Sequence, residues 1–112
     1  LASASGVEDR VIFAGPTDDP FAYYAAADFF VLPTRHDPCS LVVLEALAMG
    51  LPVISTRQNG ACEIVADGVH GFVLESADDV DGLVRAMRAM SDERGRARMR
   101  PARTCAALAV AI

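Results

Sequence analysis

A chain of 112 residues is long enough to bury one hydrophobic core and too short for two domains of ordinary size. With 53% apolar and 22% charged residues and a formal net charge of -5, its composition is that of a globular protein and excludes a disordered segment. All ten basic residues are arginine, and the absence of lysine excludes Walker-type phosphate loops, Schiff-base chemistry and receiver-type phosphorylation.

In chain order, LASASGVEDR has no basic region followed by a hydrophobic core, and no apolar run reaches the roughly 18 to 20 residues of a membrane span. A cytoplasmic location is expected. The chain starts without Met, so a fragment or a partial reading frame is also expected. VIFAG (11–15) reads as the first buried strand. TDDPFAYYAAAD follows as a helix, with Asp19 as its cap and Pro20 in its first turn, where a missing N–H costs nothing. Of Tyr23 and Tyr24, one is expected to pack and one to face water.

FFVLP (29–33) is the second predicted strand. Ser40 is placed to cap the next helix, which Gly50 and Pro52 close. PVIS (52–55) and GFVLE (71–75) are the remaining strands, and NGACEIVADG between them has room for one short helix. Ser76 and Asp79 have capping-box spacing before a helix on which Val80, Leu83, Val84, Met87 and Met90 form the buried face, with Arg85 and Arg88 opposite. A last helix is predicted from Ser91, interrupted at Pro101, with ARTCAALAVAI beyond it. Strands alternating with helices at this spacing give a parallel sheet with right-handed crossovers, an α/β fold of nucleotide-binding type.

Charge is segregated: residues 1–84 carry thirteen acids and three arginines, residues 85–112 two acids and seven arginines. No aromatic residue interleaves with Arg94, Arg96, Arg98, Arg100 and Arg103, so they read as a solvated helix face and not as a nucleic-acid surface. Cys39, Cys62 and Cys105 are too far apart for a metal knuckle and too few for a closed disulfide set, which makes them free thiols. His36 and His70 stand in no metal or Ser-His-Asp arrangement, and Asp18, Asp19, Asp78 and Asp79 are explained as helix caps.

HDPCSLVVLEALAMGLP (36–52) carries the chemistry. Between Leu41 and Met49 only Glu45 is polar, so the helix should be packed on most sides. A buried carboxylate left without donors would cost several kcal/mol or lose its charge. The donors are either protein groups, Arg57 being the candidate, or the hydroxyls of a ligand. The helix follows a strand, at the carboxyl edge where open α/β sheets bind ligands. Its first turn offers free amides and a positive dipole end for phosphate oxygens, with Glu45 about 7.5 Å along the axis from Ser40. Asp37 lies in the loop before it. A nucleotide sugar, with a central diphosphate and hydroxyl-bearing rings on both sides, has the shape to satisfy both acids and the helix end. Alternatively, Glu45 pairs within the protein and Asp37 is a turn residue before Pro38.

VIFAG, followed by YYAAADFFVLPTRHDPCSLVVLEALAMGLPVISTRQNGACEIVADGVHGFVLESADDVDGLVRAM, resembles the donor-binding half of the retaining GT-B glycosyltransferases of the group 1 type, family four. The resemblance covers about residues 10 to 100. It implies a Rossmann-like parallel sheet with flanking helices, part of the C-terminal domain of such an enzyme. The family's signature is an acid, seven residues and a glutamate. Carried over, Glu45 binds the ribose hydroxyls and Asp37 contacts the transferred sugar as the catalytic-site acid. The backbone of Cys39, Ser40 and Leu41 approaches the diphosphate and sugar, and Asn59 and Gly60 align with the small turn after the next strand.

Three departures qualify this. Asp37 stands where glutamate is usual, Ser40 where glycine is usual, and the arginine and lysine that clamp the diphosphate lie upstream of VIFAG in the family. The resemblance thus implies that residues 1–112 form a single partial domain, without the N-terminal acceptor domain and inactive alone. The complete enzyme would move a sugar from a nucleoside-diphosphate sugar to an acceptor hydroxyl with retention. It would use no metal and serve cell-envelope polysaccharide or glycolipid synthesis, with peripheral association at the inner membrane face left open. The competing reading is a non-catalytic remnant or protein-interaction module that keeps the fold without a ligand.

Overall fold

Three short strands, β1 (Phe30–Leu32), β2 (Val53–Thr56) and β3 (Gly71–Leu74), form a parallel sheet in the order β1-β2-β3 in the computed structural model, which describes residues 3–99. Phe30 pairs with Val53 and Val53 with Gly71, so β2 is bonded along both edges. Parallel neighbours need a crossover. Helix α2 (Leu41–Ala48) supplies the first, and a 3-10 helix (Gly60–Ile64) lies in the second. Helix α1 (Pro20–Ala26) precedes β1, and helices α3 (Val80–Ser91) and α4 (Glu93–Arg98) follow β3. This is the expected α/β, Rossmann-like arrangement.

Alternation along β2 divides the core between the two faces of the sheet. Val53 packs with Tyr24, Val43, Ala46, Leu47, Leu51 and others under α1, α2 and the 3-10 helix. Ile54 packs with Leu74, Ala86 and Met90 under α3. All four residues of β2 are buried, as a central parallel strand covered on both faces should be.

The helix ends follow local chemistry. The Asp19 carboxylate accepts from Ala22 N at 3.4 Å and Pro20 occupies the first helical position, as the sequence implies. Gly50, with φ 82°, closes α2: its N–H donates to Leu47 O and that of Leu51 to Ala46 O, the paired bonds of a Schellman turn. Asp79, not Ser76, caps α3, accepting from Gly82 N at 3.0 Å. Asp92 caps α4, so α3 runs through Ser91 and the last helix begins two residues later than predicted. Pro101, Arg100, Arg103 and Cys105 lie outside the described residues.

Two expectations fail. VIFAG forms no strand, and Ile12 and Phe13 are 89% and 88% exposed. An extended segment becomes a strand only against a partner edge, and no strand of the sheet runs beside this one. The buried face of α3 is also turned from the predicted one. Gly82, Ala86 and Met90, at i, i+4 and i+8, face the core with Leu83 beside them, while Val80, Val84 and Met87 are exposed. Gly82 is covered by the Asp79 cap, which leaves no room for a side chain there, and Ala86 packs with Ile54 and Leu74, positions that a count of large apolar residues misses.

Candidate functional site

The loops leaving β1 and β2 meet at the carboxyl edge of the sheet. Asp37 forms a parallel bridge with Asn59: Asp37 N donates to Gln58 O at 3.2 Å, and Gly60 N donates to Asp37 O at 2.7 Å. Gly60 is essential to this meeting. A Cβ there would stand 1.6 Å from the Pro38 carbonyl oxygen, so only glycine permits the approach.

Asn59, 1% exposed, is the hub beneath. Its Oδ1 accepts from Ser40 N at 3.3 Å and Ala61 N at 3.0 Å, and its Nδ2 donates to Ser55 Oγ at 3.2 Å. Ser55 Oγ in turn donates to Leu32 O at 2.7 Å, and Thr56 Oγ1 donates to Thr34 O. One buried amide thus joins β1, β2, the 3-10 helix and the start of α2, with its oxygen and its nitrogen both bonded.

The two acids of the signature sit differently on this frame. The Asp37 carboxylate turns back on its own loop, Oδ1 accepting from Cys39 N at 3.2 Å, in the manner of an Asx turn. Glu45 is half-buried on α2, and Tyr24 Oη of α1 donates to its Oε2 at 2.9 Å. The Tyr24 ring is 7% exposed and held edge-on by Phe21 and Phe30, with centroids 5.8 and 5.9 Å away. Burial first, and then the bond to the Glu45 carboxylate and its charge, push the Tyr24 phenol up to about 12. Arg57, the cation expected as the alternative partner of Glu45, instead bonds Glu75 at 2.6 Å. Tyr24 packs and Tyr23 is 52% exposed, as expected of the pair.

Of the backbone groups assigned to the diphosphate, Cys39 N and Ser40 N already donate within the protein. The N–H groups of Leu41, Val42 and Val43 have no acceptor among the described residues. Ser40 occupies the cap position, but its side chain makes no capping bond. The start of α2 is therefore open. Helix α2 is also less enclosed than its composition suggests: Val43, Ala46 and Leu47 are buried, whereas Leu41, Val42 and Met49 are 64%, 41% and 42% exposed.

Of the remaining candidates, His70 and Asp78 have structural partners. His70 Nδ1 accepts from Ala66 N at 2.9 Å, closing the turn before β3, while His36 is exposed. Asp78, expected as a cap, forms a two-pronged pair with Arg35 at 2.9 and 2.7 Å. Cys39 and Cys62 are free thiols, and burial pushes the Cys62 thiol up. Among the described residues, no group of three or more His, Cys, Asp or Glu side chains is placed to hold a metal, and no helix is long and apolar enough to cross a membrane. Two grooves flank the site. One of about 320 Å³ includes Arg57, Asn59, Gly60, Cys62 and Glu63 in its lining, and one of about 250 Å³ includes Tyr24 with Gly15, Thr17, Pro20 and Tyr23.

Tyr24 and Asn59 are the contributors that sequence reading undervalues. Neither spacing nor charge ties Tyr24 to a residue 21 positions on. A tyrosine on the buried face of a short helix before the motif is the one available signal.

The family model described as glycosyl transferases group 1 matches residues 1–93. The lipopolysaccharide core biosynthesis glycosyltransferase LpsE of Rhizobium meliloti is 41% identical over 87 residues, 78% of this chain and 25% of that protein. Among solved structures, a sucrose-phosphate synthase from Thermosynechococcus elongatus superposes with a TM-score of 0.83 at 28% identity, over 99% of this chain and 28% of that one. HepE of Anabaena, in complex with UDP-glucose, superposes with a TM-score of 0.75 at 26% identity, over 98% of this chain and 30% of its own. The chain spans about a quarter of the length of the curated relatives it matches. With its parallel sheet and flanking helices matching the C-terminal domains of GT-B enzymes, the chain belongs to the group 1 glycosyltransferase family.

Proposed function

We propose that residues 1–112 form the nucleotide-sugar-binding part of a retaining glycosyltransferase that transfers a sugar from a nucleoside diphosphate to an acceptor hydroxyl. The observation that carries this reading is Glu45: a half-buried carboxylate paired with a neutral phenol instead of a cation, one helical turn from amides that have no acceptor among the described residues. A carboxylate held by an arginine would be largely spent on that pair. Held by a phenol, it keeps most of its lone pairs for hydroxyl donors.

In this reading Glu45 accepts from the ribose hydroxyls, and the open amino end of α2 at Leu41 faces the diphosphate, where its dipole favours negative charge. Asp37 faces the transferred sugar as the catalytic-site acid, the backbone of Cys39 and Ser40 lines the passage between, and Gly60 keeps the neighbouring loop close. Occupation requires Asp37 Oδ1 to exchange its bond to Cys39 N for a sugar hydroxyl. Catalysis would be electrostatic, stabilising the departing diphosphate as the sugar gains oxocarbenium character, with no metal. The acceptor and the arginine and lysine of the diphosphate clamp belong to an N-terminal domain and upstream segment of the complete enzyme, so the segment alone is inactive. Cell-envelope polysaccharide or glycolipid synthesis, in the cytoplasm or at the inner membrane face, is the role that fits the named relative.

The panel that names the donor is the shift in unfolding midpoint with UDP, GDP, ADP and their common sugars, because a ligand that binds only the folded chain raises its stability by mass action. A shift with one nucleotide supports the reading. No shift with any, on a chain that still unfolds cooperatively, favours the non-catalytic module.

A further inference from the structure

We propose that Tyr24 is the positioning residue for the Glu45 carboxylate, fixing its direction so that it accepts a ribose cis-diol. This rests on the reading of Glu45 given above and extends it to a residue on another helix. A glutamate side chain turns about three bonds, and an exposed one occupies many orientations. Glu45 has one of its oxygens tied to a hydroxyl whose own position is settled by three elements. Tyr24 issues from α1, its ring meets Phe21 of α1 and Phe30 of β1 edge-on, and it is packed in the cluster that contains Val43, Ala46 and Leu47 of α2.

The choice of donor matters as much as its place. An ionised carboxylate has about four lone-pair sites, and a phenol takes one of them. It contributes no positive charge, so the remaining sites stay available and the carboxylate remains a strong acceptor. The phenol also stays protonated throughout the physiological range, its ionisation pushed up to about 12, so it remains a donor there. Tyr24 also lines the groove of about 250 Å³ with Gly15, Thr17 and Pro20, and Glu45 itself is only half-buried, so its carboxylate is not sealed within the core. Pre-organisation of this kind raises affinity by removing orientations that binding would otherwise have to suppress.

The test is the ribose preference of the 112-residue chain, the ratio of Kd for a 2′-deoxynucleoside diphosphate to that for the matching ribonucleotide, measured by titration calorimetry for wild type, Glu45→Gln and Tyr24→Phe. Tyr24→Phe keeps the ring and loses only the hydroxyl. Because the preference is a ratio, a reduced folded fraction cancels from it. A purely structural role for Tyr24 would weaken both nucleotides equally. We expect a clear preference in wild type that falls several-fold towards one in both variants. A preference lost in Glu45→Gln and kept in Tyr24→Phe overturns the positioning role and leaves the Glu45 reading intact. A wild type without preference, or one that Glu45→Gln retains, overturns the reading of Glu45 itself and the inference with it.

Discussion

Strands β1 and β2 are neighbours in one sheet, yet they differ in how completely the chain provides for them. Every residue of β2 is buried, it is bonded on both sides, and the loop that leaves it is stitched to the next by Asn59 and Gly60. Strand β1 is half-buried, forms an edge among the described strands, and is preceded by Ile12 and Phe13 standing almost fully in solvent. The β2 side is self-sufficient. On the β1 side Phe29, Phe30, Val31 and Leu32 are only partly buried against the two core clusters, and Ile12 and Phe13 before them are left uncovered by the described residues.

The comparison is broken most severely at Gly60. Gly60→Ala places a methyl group inside the Pro38 carbonyl, and the loops must separate. A loss of about 3 kcal/mol or outright failure to fold is expected, since overpacking costs roughly 1 to 3 kcal/mol and backbone cannot yield as a side chain can. An unfolding midpoint like that of wild type would show that the two loops are not locked.

Asn59→Ala comes next. It leaves Ser40 N and Ala61 N buried without their acceptor, at about 1 to 3 kcal/mol for such groups, or roughly 4 to 8 °C of midpoint per kcal/mol in a domain near this size. If Asn59→Ala melts with the wild type, the hub is not what holds the edge together.

A smaller effect sharpens the β1 side. Tyr24 ionises near 12 in the fold against an ordinary 10.0, so the folded chain holds that proton more tightly than the unfolded one. The contribution is fully present below pH 10 and is lost as pH rises towards 12. Urea unfolding of wild type and Tyr24→Phe at steps across that window should show the two stability curves parallel below 10 and converging above it. Curves that stay parallel to 12 would contradict the buried pairing.

Smallest are the surface pairs. The side chains of Arg35 and Asp78 are 75% and 67% exposed, and those of Arg57 and Glu75 66% and 74%. Arg35→Ala and Arg57→Ala should leave the midpoint nearly unchanged, and any difference should fade as salt is added. A large, salt-insensitive loss would mean these pairs organise the loops in the way assigned to Asn59.

What the sequence reveals divides along the same line. The order of β1, α2, β2 and β3, the Asp19 cap and the Gly50 stop are local signals, and each is realised. The family motif is legible because its acid, spacing and glutamate are contiguous. The exposure of VIFAG is not legible, because strand propensity says nothing about whether a partner edge is present. Nor is the rotation of α3, where Gly82 is buried under the Asp79 cap and Ala86 takes a core position in place of larger residues. The partner of Glu45 escapes for a related reason. Arg57 is the obvious cation, but the turn after β2 directs it to Glu75, and a phenol from α1 takes the place.

The most direct test of the claim that Glu45 is the ribose acceptor compares wild type with Glu45→Gln in the rise of unfolding midpoint caused by a saturating nucleoside diphosphate. The account predicts a rise in wild type that is lost or strongly reduced in Glu45→Gln, with similar midpoints for the two chains before nucleotide is added. An equal rise in both would remove Glu45 from the site.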